Sequence, residues 1–171
     1  MTMDNDLAAK QAITEVIYHY CRALDRMDRE LADTVWHPDG TADYGFFQGT
    51  GAEFLDWVWT QHELVLGHTH RISNVLIEVD GDRAGSEAYV VATLWGASQP
   101  GGMSPMFTQM VARGRYLDRW SCRDGVWAID HRLFVEDLML TSGLNGTPKP
   151  EPGKARARRD RSDPSYGVFD L

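Results

Sequence analysis

Hydrophobic residues near the start of the chain recur at intervals of three and four positions. This spacing matches the 3.6-residue turn of an α-helix and places one stripe of side chains in the interior: Ile13, Val16, Ile17, Tyr20, Leu24 and Met27. Polar residues such as Glu15 and Arg22 fall on the opposite side. The pattern therefore predicts an amphipathic helix over about residues 7–27, with Asn5 or Asp6 as its N-terminal cap.

Two further helices and two short strands are predicted between residues 29 and 66. A short helix over 29–35 is followed by His37-Pro38-Asp39-Gly40, where proline and glycine predict a turn. Short strands are predicted at 41–44 and 46–50. Residues 51–66 carry apolar positions at helical spacing, so a third helix is predicted there, ended by Gly67.

From residue 68 onward the hydrophobic period changes to two, which is typical of strands. Four long strands are predicted, over 68–79, 83–95, 105–122 and 126–140. Gly81 and Gly125 lie in two tight connections, because glycine accepts the positive φ that a hairpin turn requires. The third connection, with Gly101-Gly102, is looser. Helices followed by an antiparallel meander predict an α+β domain in which the helices cover one face of a single curved sheet.

Composition and charge narrow the class of protein. The chain has 171 residues, of which 43% are hydrophobic and 25% charged, as in one globular domain. Its formal net charge of −8 disfavours nucleic acid or an anionic membrane as the partner of the main body. Neither a signal peptide nor a transmembrane stretch is visible, so a cytoplasmic protein is expected. Cys21 and Cys122 are expected to be reduced, buried and unpaired, and they give no support for a zinc site.

The composition changes after residue 144. Residues 145–153 are rich in proline and glycine and predict a linker, so the chain divides into a folded domain over 1–144 and a tail over 145–171. Between residues 154 and 161 there are five lysines and arginines and one aspartate. Two interpretations remain open: a solvated tail that folds back onto the acidic body, or an arm for nucleic acid or localisation. Tyr166 and Phe169 are candidates to dock over an opening.

Asp25 lies within the last turn of the first predicted helix, beside apolar residues, where a carboxylate needs a partner. His70 shares a face of its predicted strand with His68, Ile72 and Asn74. If the helix crosses that face, Asp25 can fix the tautomer of His70 and stabilise its imidazolium, which makes His70 a candidate general base. The alternative is a structural hydrogen bond without a catalytic role.

Arg132 is a further candidate because it is predicted on the same strand face as Ala128 and Phe134. A buried arginine needs an anion. That anion is either a protein carboxylate, with Asp25 and Asp130 as candidates, or an oxygen of a substrate.

Tyr20 and Tyr44 are candidate hydroxyl donors, and the alternative for each is a plain core residue. On an ideal helix, Tyr20 and Asp25 point about 140° apart. They can therefore share a cavity only if the helix is cradled on both flanks or its last turn is distorted.

Taken together, residues 12–25, 70–74, 114–120 and 123–132 resemble the SnoaL-like branch of the nuclear transport factor 2 superfamily. The resemblance covers about residues 6–140 and leaves the tail outside. It implies a cystatin-like fold, in which a curved antiparallel sheet forms a cone packed on the N-terminal helices and encloses a deep pocket. It also implies a homo-oligomer, a trimer or a dimer, with Trp36 or Trp120 as candidate interface residues.

Within that branch, bile-acid 7α-dehydratase, scytalone dehydratase and lindane dehydrochlorinase use an Asp–His dyad for elimination, and Asp25 and His70 match it. The resemblance implies that Arg132 matches an arginine near the dyad of the bile-acid and lindane enzymes. Tyr20 matches the tyrosine of the bile-acid enzyme, where the dehydrochlorinase has lysine, and Tyr44 fits a second tyrosine of the bile-acid type. The absence of that lysine favours loss of water over loss of halide.

The expected activity is therefore that of a lyase, a dehydratase that needs no metal or organic cofactor. Small side chains alternate along the second long strand, which leaves room in front of the sheet for an apolar, steroid-like or polyketide-like ring compound. Val90, Ala92 and Met110 are the predicted substrate contacts. The alternative is that Met110, Trp57 or Trp59 fills this space.

Three other functions remain open. The same residues suit a ring-compound isomerase or cyclase. A non-catalytic ligand-binding module, or one like a dioxygenase small subunit, is the second. The third is a metal site built from Asp25, His68 and His70, which has the two-histidine, one-carboxylate composition of non-haem iron sites.

Overall fold

A computed structural model of the chain describes residues 3–97, 107–144 and 152–169. Within these ranges the helices are α1 (Met3–Arg26), α2 (Arg29–Ala32) and α3 (Gly51–Glu63), and a short 3-10 turn spans Gly167–Phe169. The strands are β1 (Trp36–Asp43), β2 (Gln48–Thr50), β3 (Gly67–Asp80), β4 (Arg83–Ala97), β5 (Phe107–Arg123) and β6 (Val126–Leu144). None of the helices in these ranges is long and apolar enough to cross a membrane.

The strands form one sheet in the order β2-β1-β6-β5-β4-β3. Strands β3 to β6 are an antiparallel meander, and the N-terminal helices pack on one face of the sheet. The predicted α+β class is thus confirmed, with one difference in detail: β1 pairs with β6 in parallel, so the sheet is mixed at that junction.

The turn that was predicted at Pro38 and Gly40 is wrong, because both residues lie within β1. The ladder between β1 and β6 is irregular between Trp36 and Thr41, so proline, which has no N–H to donate, sits where regular pairing is interrupted. A Cβ atom on Gly40 would lie 2.5 Å from the carbonyl oxygen of Ile129. Glycine is therefore required here by close backbone contact.

Several boundaries also differ from the predictions. Helix α1 begins at Met3, so Asp6 lies inside its first turn and not at a cap. Helices α2 and α3 each end three residues earlier than predicted, at Ala32 and Glu63. The two hairpin turns are confirmed, with positive φ at Gly81 and Gly125. The predicted loop at Gly101-Gly102 and the linker over 145–151 lie outside the described residues.

The buried stripe of α1 supplies one wall of the core. Ile13 and Ile17 are 0% exposed and Leu24 is 1% exposed, whereas Val16 and Met27 are half-buried. Trp36 and Trp120 also lie in this core, at 7% and 1% exposure. The prediction that these two tryptophans are exposed interface residues is therefore wrong.

The two cysteines are unpaired, as predicted, but only one is fully buried. Cys21 lies in the core, and burial raises the pKa of its thiol to about 12. Cys122 is half-buried. Neither residue contributes a disulfide to the stability of the fold.

Candidate active site

The site begins at the C-terminal end of α1, which closes in a Schellman motif. The backbone N–H of Met27 donates to the carbonyl of Leu24 (3.0 Å), and that of Asp28 donates to the carbonyl of Ala23 (2.9 Å). Met27 takes the left-handed conformation at φ +52°, which is uncommon outside glycine. The motif ends the helix immediately after the turn that carries Asp25 and presents that turn to β3.

Asp25 and His70 are brought together as predicted. The Nδ1 atom of His70 lies 2.7 Å from Oδ1 of Asp25, and the backbone N–H of His70 donates to Oδ2 at 3.0 Å. Both side chains are largely buried, at 13% exposure for Asp25 and 6% for His70. The other ring nitrogen, Nε2, makes no hydrogen bond to another described residue. The carboxylate therefore holds both the backbone and the ring of His70 and leaves one nitrogen available.

A β-bulge decides which face of β3 carries His70. The pairing of β3 with β4 shifts between Ser73 and Leu76, where Asn74 has φ +49°. Beyond the bulge, Ile77 faces the core, five positions from Ile72 on the same face. Asn74, which was predicted to share the face of His70, lies in the bulge itself.

Tyr20 and Tyr44 also meet inside the fold. Their hydroxyl oxygens lie 2.8 Å apart in a hydrogen bond, and the residues are 1% and 8% exposed. Burial, the largest effect, raises the pKa of both hydroxyls well above the ordinary value, so both stay protonated. The ring of Tyr20 lies 6.3 Å from the ring of His70. His70 thus contacts Asp25 and has the ring of Tyr20 nearby.

Arg132 is fully buried, and its partner is Asp118. The Nε and Nη2 atoms of Arg132 donate to the two carboxylate oxygens at 2.7 and 2.8 Å. The predicted pairing with Asp25 or Asp130 is wrong. Burial alone would lower the pKa of Arg132, but the attraction of Asp118 raises it well above the ordinary value.

Arg132 also contacts the tyrosines. Its guanidinium carbon lies 4.3 Å from the ring centre of Tyr20 and 4.1 Å from that of Tyr116, as in cation–π contacts. Its Nη1 atom is buried without a well-formed hydrogen bond to another described residue, although the guanidinium acts on the Tyr44 hydroxyl to lower its pKa. Arg132 therefore supports the tyrosine pair and does not touch the dyad.

Asp118 was not predicted as the partner of Arg132, and a second bulge explains why. The β5–β6 ladder shifts at Asp130, so Arg132 lies opposite Asp118 and on the face of Ile129, not on the face of Ala128 as predicted. Asp118 stands two positions from both Tyr116 and Trp120, which are buried. An acid between two inward-facing aromatic residues of a strand was the available signal.

The predicted substrate contacts lie on the same face of the sheet as His70. Ala92 is directly opposite His70 in the ladder, and Val90 is opposite Ile72. Met110 is opposite Leu94, two positions further along β4. Val90 is buried at 2% exposure, whereas Ala92 and Met110 are half-buried.

The two tryptophans that were alternatives for filling this space contact other groups. Trp57 lies against Phe46 and Phe47, at ring distances of 5.3 and 5.8 Å, and the guanidinium of Arg29 lies 5.7 Å from the ring of Trp59. The side chain directly opposite His70 is the small Ala92.

An open groove of about 960 Å³ reaches the dyad along the outer side of α1. Asp25, His70 and Ile72 line one part of it. Arg161 and Tyr166, from the C-terminal tail, line another. The groove therefore connects the two members of the dyad with the solvent and with the tail.

The described part of the tail, residues 152–169, is called the strap below. It folds back onto the body, as the first of the two interpretations predicted. The Tyr166 hydroxyl donates to Asp28 (2.6 Å), Arg161 pairs with Glu30 (2.7 Å), and Arg159 donates to the carbonyls of Val65 (2.6 Å) and His62. Nothing is described for the side chain of Phe169.

Asp163 organises the strap, so its replacement by alanine should release it. The carboxylate accepts hydrogen bonds from the backbone N–H groups of Arg158 (2.7 Å) and Ser165 (3.0 Å) and pairs with Arg26 (3.2 Å). We expect Asp163→Ala to lower the free energy of unfolding by about 1–3 kcal/mol and to speed tryptic cleavage at the strap arginines. The control is Asp80→Ala, which removes an exposed carboxylate from the body of the protein. Equal cleavage rates in the two variants would contradict this role.

Two more buried histidines, His62 and His68, lie beside the dyad, with ring centres 3.9 Å apart. Burial is the main cause that lowers the pKa of His62 to about 2 and that of His68 to about 4. In the unfolded chain both pKa values return to about 6.5. Both imidazoles are therefore neutral in the folded protein at pH 7.

Because of these two buried histidines, we expect the folded protein to lose stability in mild acid. Below about pH 6.5 the unfolded state binds protons that folded His62 and His68 do not, so the free energy of unfolding falls as the pH falls. We expect a loss of about 2 kcal/mol per histidine between pH 7 and 5. Urea unfolding across this range measures it. The loss should shrink in His62→Phe and stay unchanged in His131→Ala; equal losses in both variants would exclude the pair as the cause.

The alternative metal site is not formed. Among the described residues, no three histidine, cysteine, aspartate or glutamate side chains are grouped as ligands for a metal ion. The Nε2 atom of His68 instead contacts the carbonyl of Leu24 at 2.7 Å. His68 therefore points to the backbone of α1 and not to a shared centre with Asp25 and His70.

Comparison with known proteins supports the same architecture. The profile of the SnoaL-like domain matches residues 5–133. No protein with a curated functional description matches the chain in sequence.

Solved structures of similar shape share little sequence. A candidate scytalone dehydratase from Novosphingobium aromaticivorans is 21% identical with a TM-score of 0.67, over 91% of this chain and 100% of that one. Hexachlorocyclohexane dehydrochlorinase LinA-type3 from Novosphingobium barchaimii is 16% identical with a TM-score of 0.69, over 88% and 100%. A protein of unknown function with a cystatin-like fold from Nostoc punctiforme is 18% identical with a TM-score of 0.59, over 75% and 90%. The similarity in shape, with these TM-scores, establishes the cystatin-like fold.

Proposed function

This chain belongs to the SnoaL-like domain family, and on that premise we propose that it is a cofactor-independent dehydratase. The substrate is a hydroxylated alicyclic or steroid-like compound, from which the enzyme removes water. Proteins of similar fold carry the names of a dehydratase and a dehydrochlorinase, both lyase-type activities. The proposal for this chain rests on its own residues.

One observation carries the proposal. Asp25 accepts hydrogen bonds from both the backbone N–H and the Nδ1 side of His70, at 3.0 and 2.7 Å. Nδ1 therefore carries the proton in the neutral ring, and Nε2 has a free lone pair. When Nε2 takes a proton, the carboxylate stabilises the imidazolium that results. This is the arrangement of a general base.

The proposed reaction is an elimination. Nε2 of His70 removes a proton from a carbon next to a carbonyl group, the electrons of that C–H bond form the new C=C bond, and the hydroxyl on the neighbouring carbon departs. The departing hydroxide takes the proton from the imidazolium and leaves as water, which restores neutral His70. The step transfers no electrons to an acceptor, so it requires no metal or organic cofactor.

We assign Tyr20 and Tyr44 to the oxygen of the substrate. Both hydroxyls are protonated, and they are already joined to each other, so one of them can donate to a developing oxyanion while the other supports it. Arg132 is a positioning residue: it stacks on the ring of Tyr20 and acts on the Tyr44 hydroxyl. The positive charge of Arg132 favours the negative charge that develops on the substrate oxygen.

The proposed substrate contacts are Val90, Ala92 and Met110. All three lie on the face of the sheet that carries His70, and Ala92 is its direct neighbour across the strands. Short apolar side chains next to a base favour a flat, apolar ring over a charged metabolite. We propose that the protein is cytoplasmic and assembles as a dimer or trimer. We propose that its partner is this small molecule and not a nucleic acid or a membrane.

The test is a direct assay with a panel of cyclic β-hydroxyketones of one to four rings. Elimination produces a conjugated enone, which is followed by its ultraviolet absorbance, and mass spectrometry confirms the loss of one water. We expect turnover of at least one polycyclic member by the purified chain. Ligand binding without turnover, and without exchange of the α-proton in D₂O, would leave only a ligand-binding module.

Isomerisation of a ring double bond is the second candidate, and the buried Tyr20–Tyr44 pair favours it. A base and a neutral oxyanion donor on opposite sides of an enolisable ketone suffice for moving a double bond. A parallel panel of cyclic β,γ-unsaturated ketones tests it, because isomerisation gives the conjugated enone with no change of mass, whereas the β-hydroxyketones lose one water.

A further inference from the structure

His68 and His70 alternate along the inner face of β3 and contact successive residues of α1. His70 binds the carboxylate of Asp25. Two positions earlier, Nε2 of His68 lies 2.7 Å from the carbonyl oxygen of Leu24. The same carbonyl accepts the backbone N–H of Met27 at 3.0 Å, as part of the motif that ends the helix. The strand therefore holds the last turn of α1 at two adjacent points.

The contact between Nε2 of His68 and the Leu24 carbonyl determines the tautomer of His68. A carbonyl oxygen only accepts hydrogen bonds, so Nε2 must carry the proton and donate it. The Nδ1 atom then has a lone pair, and it is buried without a hydrogen-bond partner among the described residues. A second proton on Nδ1 would have no acceptor, so His68 is confined to its neutral form.

On balance, the surroundings of His68 also favour its neutral form. The groups that face His68 come from every element around it: His62 from α3, His70 from β3, Arg159 from the strap and Asp25 from α1. Burial, His70 and Arg159 lower the pKa of His68, whereas the hydrogen bond to Leu24 and the charge of Asp25 raise it, with a result of about 4. The ring is 4% exposed. His68 is thus a constant donor throughout the neutral pH range.

We propose that His68 is a positioning residue: its hydrogen bond to the Leu24 carbonyl fixes the last turn of α1 so that the Asp25 carboxylate meets His70. This inference deepens the proposed function and rests on it for the effect on turnover. The hydrogen bond itself acts on the geometry of the dyad whether or not the reaction is a dehydration. Sequence reasoning placed His68 on the correct face but offered it only as a metal ligand.

The position of Asp25 depends on this hydrogen bond because Asp25 lies at the end of a helix. The turn beyond it depends on a left-handed Met27, a conformation that costs a non-glycine residue about 1 kcal/mol or more. Removing the donor leaves the Leu24 carbonyl with one hydrogen bond and loosens the turn. A displacement of the carboxylate by a fraction of an ångström weakens its charge-assisted contact with Nδ1.

The test compares two variants at position 68. In His68→Gln the amide nitrogen reaches about the place of Nε2 and can still donate to the Leu24 carbonyl. In His68→Asn the shorter amide cannot reach it. We expect kcat to fall about 10- to 100-fold in His68→Asn with KM within about 2-fold, and to fall less than about 3-fold in His68→Gln. The pH profile should keep its midpoint in His68→Gln, in which the Asp25–His70 contact is kept, and should shift in His68→Asn, in which that contact is weakened.

A second measurement does not depend on turnover. Proton NMR of the folded protein reports the Nδ1–H of His70, whose downfield resonance depends on a short contact with Asp25. We expect this resonance to shift upfield or broaden in His68→Asn and to persist in His68→Gln and in a His131→Ala control. An unchanged resonance in His68→Asn would overturn the inference, as would equal effects of both variants. Absence of turnover in the wild-type protein, with the NMR difference present, would instead count against the proposed function alone.

Discussion

Replacement of His70 by alanine should lower kcat/KM by about 10³-fold, because it removes the general base from the proposed elimination. The imidazole is 6% exposed and its Nδ1 is held by Asp25, so the group that takes the proton cannot be replaced by a neighbouring side chain in the same position. Thermal unfolding should change little in comparison with this effect. The measurement is steady-state kinetics on whichever cyclic hydroxyketone the wild-type chain converts.

Two matched variants sharpen this prediction. Asp25→Asn keeps the shape of the partner but removes the charge that stabilises the imidazolium, and we expect a loss of 10²- to 10⁴-fold. His131→Ala removes a half-buried histidine that binds Thr41 on the other side of the sheet. It should retain wild-type kinetics. Retained activity in His70→Ala would refute the base assignment and leave the Asp25 contact as a structural hydrogen bond.

Replacement of Asp118 by asparagine should lower the free energy of unfolding by about 3–5 kcal/mol. Both members of the Asp118–Arg132 pair are 0% exposed, and the variant leaves a guanidinium charge in the core without its counter-charge. Urea unfolding at pH 7 measures the loss. Activity should fall as well, because Arg132 holds the ring of Tyr20.

The control for this prediction is an exposed ion pair. Asp56 binds Arg29 at 2.6 Å, but its side chain is 71% exposed, so Asp56→Asn should cost less than about 1 kcal/mol. If Asp118→Asn does not fold, the double variant Asp118→Leu with Arg132→Met should restore folding, because it removes both charges together. Equal destabilisation by Asp118→Asn and Asp56→Asn would show that the Asp118–Arg132 pair is not shielded from water in solution.

Local patterns in the sequence were sufficient for most of the elements. The stripe from Ile13 to Leu24 could only be satisfied by a helix with one buried face. Gly81 and Gly125 were sufficient to predict hairpin turns, because glycine accepts the positive φ that such turns require and that both residues have. The error at Pro38 and Gly40 has the same origin: both residues break regular structure when considered locally. Here the neighbouring strand and the close approach of Ile129 allow the chain to stay extended.

The sequence alone therefore predicted the α+β class, the helix that carries Asp25 and the strand that carries His70, and it offered the pairing of these two residues as a candidate. Only the tertiary structure decided how the faces of the strands continue through their bulges. Without the bulge at Asn74, the alternation that buries Ile77 would turn His70 to the opposite face, and without the bulge at Asp130, Arg132 would not lie opposite Asp118. A shift of one residue reverses every side chain of a strand, and where that shift occurs depends on packing against the whole core, which no local pattern contains.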